Sequence, residues 1–345
     1  MTLRSSSVAG LVLAFALFSG QAAAREKTDV VEVENGDRIR GEIVTLEYGQ
    51  LKFKTDSLGT IYIEWPEVVS VESRYSFYVE TIGGRRHFGA LSASPGQGSV
   101  TVVTGTGALD FRITEVTRID QVEQSFLERI DGSFSVGFNY AKSTDISVTS
   151  ARFNSRYRSQ LHVATVTADV NNTTDSGGES SHRLSLSYEH QYLRPRGRFY
   201  LGGGSFERNE ELGIDGRLQF AGGFGRYLRQ TSFSEISVFG GLAVNQEWTR
   251  DGSDSQQTIE GVLGSGWRIF QFSDPETSLT SSFIIYPGLT EWGRYRTDLD
   301  VSLRRELIED LFFDLSLYHA YDNEPPSEGA AKDDYGIVTS LGYSF

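Results

Sequence analysis

The chain has 345 residues, 23% of them charged, a net charge of −14 and no cysteine. Such an acidic balance excludes the basic footprint that a phosphate backbone requires, so no nucleic acid is expected as a partner. Without cysteine there is neither a disulfide framework nor thiolate chemistry.

Residues 1–24 read as a secretory signal peptide. Arg4 supplies the positive start, Val8 to Phe18 the apolar stretch and Ala22-Ala23-Ala24 the small-residue cleavage site. Removal of that segment leaves 321 residues and, with Arg4 gone, a net charge of −15. No other segment approaches the roughly 18 consecutive apolar residues of a membrane helix.

From residue 25 to about 120 the sequence repeats with a shift of 48. Asn35-Gly36 falls on Gly83-Gly84, Gly41 on Gly89 and Gly59 on Gly107, while Ile61 falls on Leu109, Ile63 on Phe111, Val68 on Val116 and Val71 on Ile119. Glycines that mark turns between alternating apolar positions predict short strands in each copy, and NGDRIRGEI is a hairpin signal. Two small β-barrel-like modules are expected, at 25–74 and 75–122, followed by a linker at 123–131. Each copy resembles a small Sm-like five-stranded barrel. The RNA-binding role of such barrels is not expected here, because the copies lack a basic stripe and the chain is exported, so a periplasmic interaction role with an unidentified partner is expected instead.

From residue 132 the pattern changes to twelve long alternating runs, near 132–141, 145–158, 160–171, 181–193, 197–209, 213–228, 232–247, 256–272, 276–289, 293–305, 310–323 and 332–345. Most are 10 to 17 residues long, against the five or six usual in globular strands and the roughly 9 to 11 needed to cross hydrocarbon. Leu311, Phe313, Leu315 and Leu317 share one parity while Asp314, Ser316 and Tyr318 take the other, and Tyr295, Thr297, Leu299, Val301 and Leu303 alternate with Arg294, Arg296, Asp298, Asp300 and Arg304. Apolar-out, polar-in alternation is the pattern of a membrane barrel. The fold class expected is all-β, a twelve-stranded antiparallel transmembrane barrel at 132–345 behind the two modules. Loop lengths agree with this arrangement. Turns on the N-terminal side are short, as at Ser159, Arg194-Pro195-Arg196 and Arg229-Gln230-Thr231, and the long connections 171–180, 249–256 and 323–333 all fall on the opposite side. With an even strand count both termini lie in the periplasm of a Gram-negative envelope. Pro195, Pro275, Pro325 and Pro326 fall in turns, and Pro287 at a strand end.

The opening G-S-F-S-V-G-F-N-Y strand, the region around Tyr192 to Pro195 and the aromatic terminus, with the linker before them, resemble the salt-induced outer membrane protein family, catalogued as domain of unknown function 481. The likeness extends over about residues 128–345 and implies an outer-membrane barrel without assigning an activity. Ile337, Leu341, Tyr343 and Phe345 form the lipid-facing parity of a closing strand, expected to pair with the first strand near Phe134 to Tyr140. The motif Leu341, Tyr343, Phe345 resembles the signal read by the barrel-assembly machinery, although Ser340 stands where many such signals carry glycine.

Catalytic and metal motifs are sparse. Ser181-His182 and Glu189-His190 are adjacent on strands and point to opposite faces. His319 with Asp322 is the remaining arrangement that an outer-membrane hydrolase could use. There is no HExxH motif and no EF-hand loop. The acidic segment from Asp322 to Asp334, net −4, reads as a solvated loop. Gly202-Gly203-Gly204 and Gly222-Gly223-Phe224-Gly225 open no helix and so cradle no phosphate; they read as strand glycines. No cofactor, metal site or catalytic residue is assigned. The polar parity places Arg152, Arg156, Arg183, Glu189, Arg217, Glu260, Arg268, Arg294, Arg296, Asp298, Asp300, Arg304 and Asp314 in the lumen. These charges form either a closed network or the lining of a narrow conduit, because isolated buried charges are too costly. The expected role is structural, interaction-based or narrowly permeable in the outer membrane, in contact with lipid and lipopolysaccharide. A passive channel for small ions or solutes is the alternative.

Overall fold

The computed structural model describes residues 26–344 apart from 95, 97, 123–128, 142–145, 175–179, 250–254, 272–274, 309 and 327–329. The expected signal peptide, most of the expected linker and Phe345 lie outside the described residues.

Nine strands build the N-terminal half: β1 (Asp29–Val33), β2 (Arg38–Glu47), β3 (Gln50–Lys54), β4 (Thr60–Glu64), β5 (Val68–Thr81), β6 (Arg85–Ala93), β7 (Ser99–Thr104), β8 (Gly107–Arg112) and β9 (Val116–Gln121). They pair in the order β4-β3-β2-β1-β5-β6-β7-β8, with β9 bridging β2 and β5. The 48-residue repeat appears in the elements themselves. A 3-10 turn at Trp65–Glu67 recurs at Ile113–Glu115, and β9 repeats the first half of β5. The boundary expected between residues 74 and 75 falls inside β5, where its pairing with β6 slips between Ser73 and Ser76. Each copy thus lends half of one continuous strand to the other. The two copies also share a single apolar core that includes Trp65, Phe53, Phe77, Leu46, Val79 and Ile119. At its centre the Trp65 indole donates to the carbonyl of Ile113, its repeat equivalent, at 2.8 Å. That hydrogen bond satisfies the one polar group that a buried tryptophan brings with it.

The C-terminal half is a closed barrel of twelve antiparallel strands, each paired with the next and the last with the first. They are β10 (Ile130–Ala141), β11 (Ile146–Arg158), β12 (His162–Thr174), β13 (Ser180–Arg194), β14 (Arg198–Asn209), β15 (Ile214–Gln230), β16 (Ser234–Thr249), β17 (Ser255–Gln271), β18 (Thr277–Pro287), β19 (Tyr295–Ile308), β20 (Leu311–Asp322) and β21 (Asp333–Ser344). All twelve expected runs are present, with ends shifted by at most three residues. Closure occurs where it was expected: Phe134 lies opposite Tyr343, and Val136 opposite Leu341. The outward parity is a belt of exposed apolar groups, among them Phe138, Tyr200, Phe220, Phe224, Leu242, Leu263, Trp267 and Ile337. A continuous apolar belt of that extent has no place on a water-soluble surface and suits a lipid environment.

The β10–β21 seam pairs over five residues, against eleven for β20–β21. Gly342 sits in it with the Phe312 ring against its inner side and the Phe134 carbonyl 2.7 Å from where a Cβ would stand. Gly342→Val is therefore expected to cost about 1–3 kcal/mol through overpacking, read as a lower urea midpoint for loss of the heat-modifiable folded band.

Candidate functional site: the sealed lumen

The barrel has a near end, carrying the short turns and facing the N-terminal half, and a far end carrying the long connections. The near end is occupied. The β2–β3 hairpin turns at Tyr48, whose φ of 54° holds the tip in the left-handed region. Its ring lies 5.6 Å from both the Arg156 and the Arg268 guanidinium, and 4.6 Å from the Phe270 ring. Arg268 donates to the Tyr48 hydroxyl at 2.9 Å, and Gln50 donates to Glu276 at 2.5 Å. Glu47 faces Arg118 of its own domain at 2.6 Å and Arg156 of the barrel at 3.7 Å. Glu80 meets Arg158 at 3.8 Å, and a carbon added to Gly84 would press on the backbone of Gly197. Arg156 and Arg268, both expected in the lumen, thus serve as the barrel's grip on a hairpin more than 100 residues away in sequence.

Burial would raise the Glu47 carboxyl, but Arg118, Arg156 and Arg158 together outweigh it and hold the pKa down at about 2, against an ordinary 4.5. A carboxyl depressed on folding contributes stability that is fully present above pH 4.5 and is lost as pH falls towards 2. Hydrogen exchange in the β2–β3 hairpin, corrected for intrinsic rates, is expected to quicken between pH 5 and pH 3, and Glu47→Gln is expected to flatten that change.

The far end is filled by charges. Glu247, fully buried, accepts from Arg217 at 2.7 Å and from Arg294 at 3.1 Å. Asp322 accepts from Arg294 at 2.7 Å and lies 3.6 Å from Arg217, which also reaches Glu207 at 3.1 Å. Beneath them Arg296 clasps Glu260 with bonds of 2.9 and 2.6 Å, and Asn245 donates to the same carboxylate at 2.7 Å. Arg183 pairs with Asp334 at 3.3 Å and stacks over Tyr318. Leu212, between β14 and β15, and Ile214, the first residue of β15, pack on Ala320, and Ala331 donates to the Glu211 carbonyl at 3.2 Å.

From the near mouth to the middle of the barrel the lumen is part apolar, part polar. Val163, Leu193, Phe199, Tyr227 and Phe239 pack inside one flank, and Ala243, Val262 and Tyr286 continue that flank. The inner wall there is glycine: the Phe199 ring lies against Gly225 and the Phe239 ring against Gly264. The polar-in expectation does not hold along this flank, because inward glycines leave hollows that aromatic rings fill. On the opposite flank Arg152 pairs with Asp169 and donates to Ser316 at 3.0 Å. Asp314 accepts from Ser302 and Ser316. Arg304 lies 3.8 Å over the Phe312 ring and donates to Ser133 at 3.2 Å. Glu189, bonded to Gln191 at 2.8 Å, and Asp300 lie on the inward parity yet keep exposed side chains, while Asp298 is half-buried near them.

Every lumen residue expected from sequence lies on the inward parity. Parity alone also marks their acidic partners Asp169, Glu207 and Glu247, whereas Asp322 and Asp334, expected in a solvated loop, are turned inward and paired with Arg294 and Arg183. His319 and Asp322 do not converge: Asp322 turns in to the arginines, and His319 lies outward with its ring 6.3 Å from Tyr335. His190 lies 3.0 Å from His162 across β12–β13, a pairing that only the strand register reveals.

A family model described as "Protein of unknown function, DUF481" matches residues 135–345. No curated protein matches the chain. Among solved structures, the translocator domain of autotransporter NalP from Neisseria meningitidis is similar at 14% identity, covering 63% of this chain and 86% of its own, with a TM-score of 0.36. The NanC porin gives 9% identity, 63% and 98% coverage and a TM-score of 0.37. The COG4313 outer membrane channel from Pseudomonas putida F1 gives 11% identity, 63% and 94% coverage and a TM-score of 0.35.

Proposed function

The chain belongs to the DUF481 family, a family of unknown function, and on that premise we propose that it is a resting-closed outer-membrane barrel that anchors its repeated β-domain at the periplasmic face. The observation that carries this reading is the occupation of both mouths: the Tyr48 hairpin at one and the Arg217–Glu247–Arg294–Asp322 cluster at the other. A barrel built to pass solutes freely would keep its lumen charges in water, whereas here those at the far end are buried against partners. The outward apolar belt supports insertion in lipid, because a closed barrel is one of the two ways to satisfy every backbone group there. The role is non-catalytic. The surface of the β-domain that points away from the barrel is left to a periplasmic partner, the loops at the far end meet lipopolysaccharide, and the aromatic C-terminal strand is read by the barrel-assembly machinery.

A second reading has one observation in its favour. Glu189 and Asp300 face water inside the barrel, so a small-ion path would exist if both seals moved together.

Orientation is tested with single cysteines in this cysteine-free chain. Leu58→Cys, at an exposed hairpin of the β-domain, and Trp292→Cys, 91% exposed beyond the far end, are treated with a membrane-impermeant maleimide. Intact cells are expected to label only at position 292, and permeabilised cells at both. Labelling at position 58 in intact cells would overturn the orientation.

A further inference from the structure

Three arginines stand directly opposite one another on adjoining strands. Arg194 of β13 faces Arg198 of β14, and Arg198 faces Arg226 of β15. All three point outward, since their neighbours Leu193 and Phe199 are buried inside the barrel, and all three are exposed. Strands lie about 4.8 Å apart, so the row is about 10 Å long. Arg229 follows below on β15 and Arg196 holds the β13–β14 turn at a φ of 66°. Like charges directly opposite across a ladder destabilise it. Yet among the described residues none of these five guanidinium groups has an ion pair or a hydrogen bond to a side chain; Arg194 merely lies 5.6 Å over the Tyr192 ring.

The next outward row towards the middle of the barrel is aromatic. Tyr192 faces Tyr200, and Tyr200 faces Phe224, with Tyr200 58% and Phe224 70% exposed. Outward positions near the same end of other strands are Ile236, Ile269, Leu279 and Tyr343, with one isolated arginine, Arg305. An unpaired basic row on a chain of net charge −14 needs a counter-ion, and planar guanidinium forks match phosphate oxygens.

We propose that Arg194, Arg198 and Arg226 bind the phosphate of an anionic phospholipid in the periplasmic leaflet. The adjoining aromatic row chooses lipid over free phosphate, since it lies on the hydrocarbon side of the arginines, where acyl chains continue from a bound headgroup. The site rests on the membrane orientation proposed above, and it accounts for an arrangement that would otherwise be repulsive.

The test uses full-length protein purified from outer membranes in mild detergent, with native mass spectrometry as the readout and the heat-modifiable band as the check of folding. The wild type is expected to retain an anionic phospholipid, and the R194Q/R198Q/R226Q protein to retain at least ten-fold less, with Arg305→Gln unchanged. In vesicles, adding phosphatidylglycerol to phosphatidylethanolamine is expected to raise the urea midpoint of the wild type and not that of the triple variant. Should the triple variant not fold, Arg198→Gln at the centre of the row is expected to show a partial loss. Equal lipid retention by wild type and variant, or no retained phospholipid in the wild type, would overturn the proposal. Binding of inorganic phosphate without any lipid adduct would overturn the choice of lipid. Failure of the membrane orientation would appear separately, in the cysteine-labelling pattern.

Discussion

Glu247→Ala is expected to destabilise the barrel by about 3–5 kcal/mol, the range for breaking a buried charge network from one side. Glu247 is fully buried and is shared by Arg217 and Arg294, which are themselves almost fully buried. Its removal leaves Arg294 with Asp322 and Glu291, at 2.7 and 2.8 Å, and Arg217 with Glu207 at 3.1 Å, so two neighbouring guanidinium groups lose the one carboxylate they share. The loss is read as a fall in the urea midpoint of the folded, heat-modifiable form. In the double variant R217A/E247A the effects are expected to be markedly less than additive, because the two residues are direct partners in one buried network. A change below about 0.5 kcal/mol for Glu247→Ala, the scale of an ordinary surface substitution, would mean that the far end is wet and loosely paired.

The second large effect concerns the near end. Tyr48 is held between two guanidinium groups, each contact worth about 0.5–2 kcal/mol, and Glu47 adds a charge pair to Arg156. The E47A/Y48A protein is expected to lose about ten- to a hundred-fold in the docking equilibrium between β-domain and barrel. That is measured by the rate at which a short bis-maleimide joins Gln50→Cys to Glu276→Cys, whose wild-type side chains are hydrogen-bonded. Undocking alone is expected to leave the membrane non-conducting, because the Arg217–Glu247–Arg294–Asp322 cluster still closes the other mouth. An unchanged cross-linking rate would show that the hairpin does not carry the docking.

Much of this architecture is legible in the sequence. Strict alternation fixes parity, and the turns near Ser159, Pro195 and Thr231 fix strand ends, so the twelve strands and the Phe134–Tyr343 closure follow from local pattern. The 48-residue period is matched in the structure by the 3-10 turns at Trp65 and Ile113. The rest depends on what lies across a space. Parity says that Arg296 points inward, but only the three-dimensional arrangement brings it to Glu260, 36 residues away. Nothing local to Glu47-Tyr48 reveals that they enter a barrel mouth formed by Arg156 and Arg268. Inward glycines read from sequence only as strand glycines, because their role lies in rings on neighbouring strands, Phe199 over Gly225 and Phe239 over Gly264. The arginine row was missed for the same reason: Arg194 and Arg198 look like ordinary turn residues until Arg226 is placed beside them.

Planar-bilayer recording of the intact, refolded protein tests the closed-barrel account most directly. With both seals in place no steady unitary current above baseline is expected, and steady single-channel steps from the unmodified protein would mean that the lumen is open.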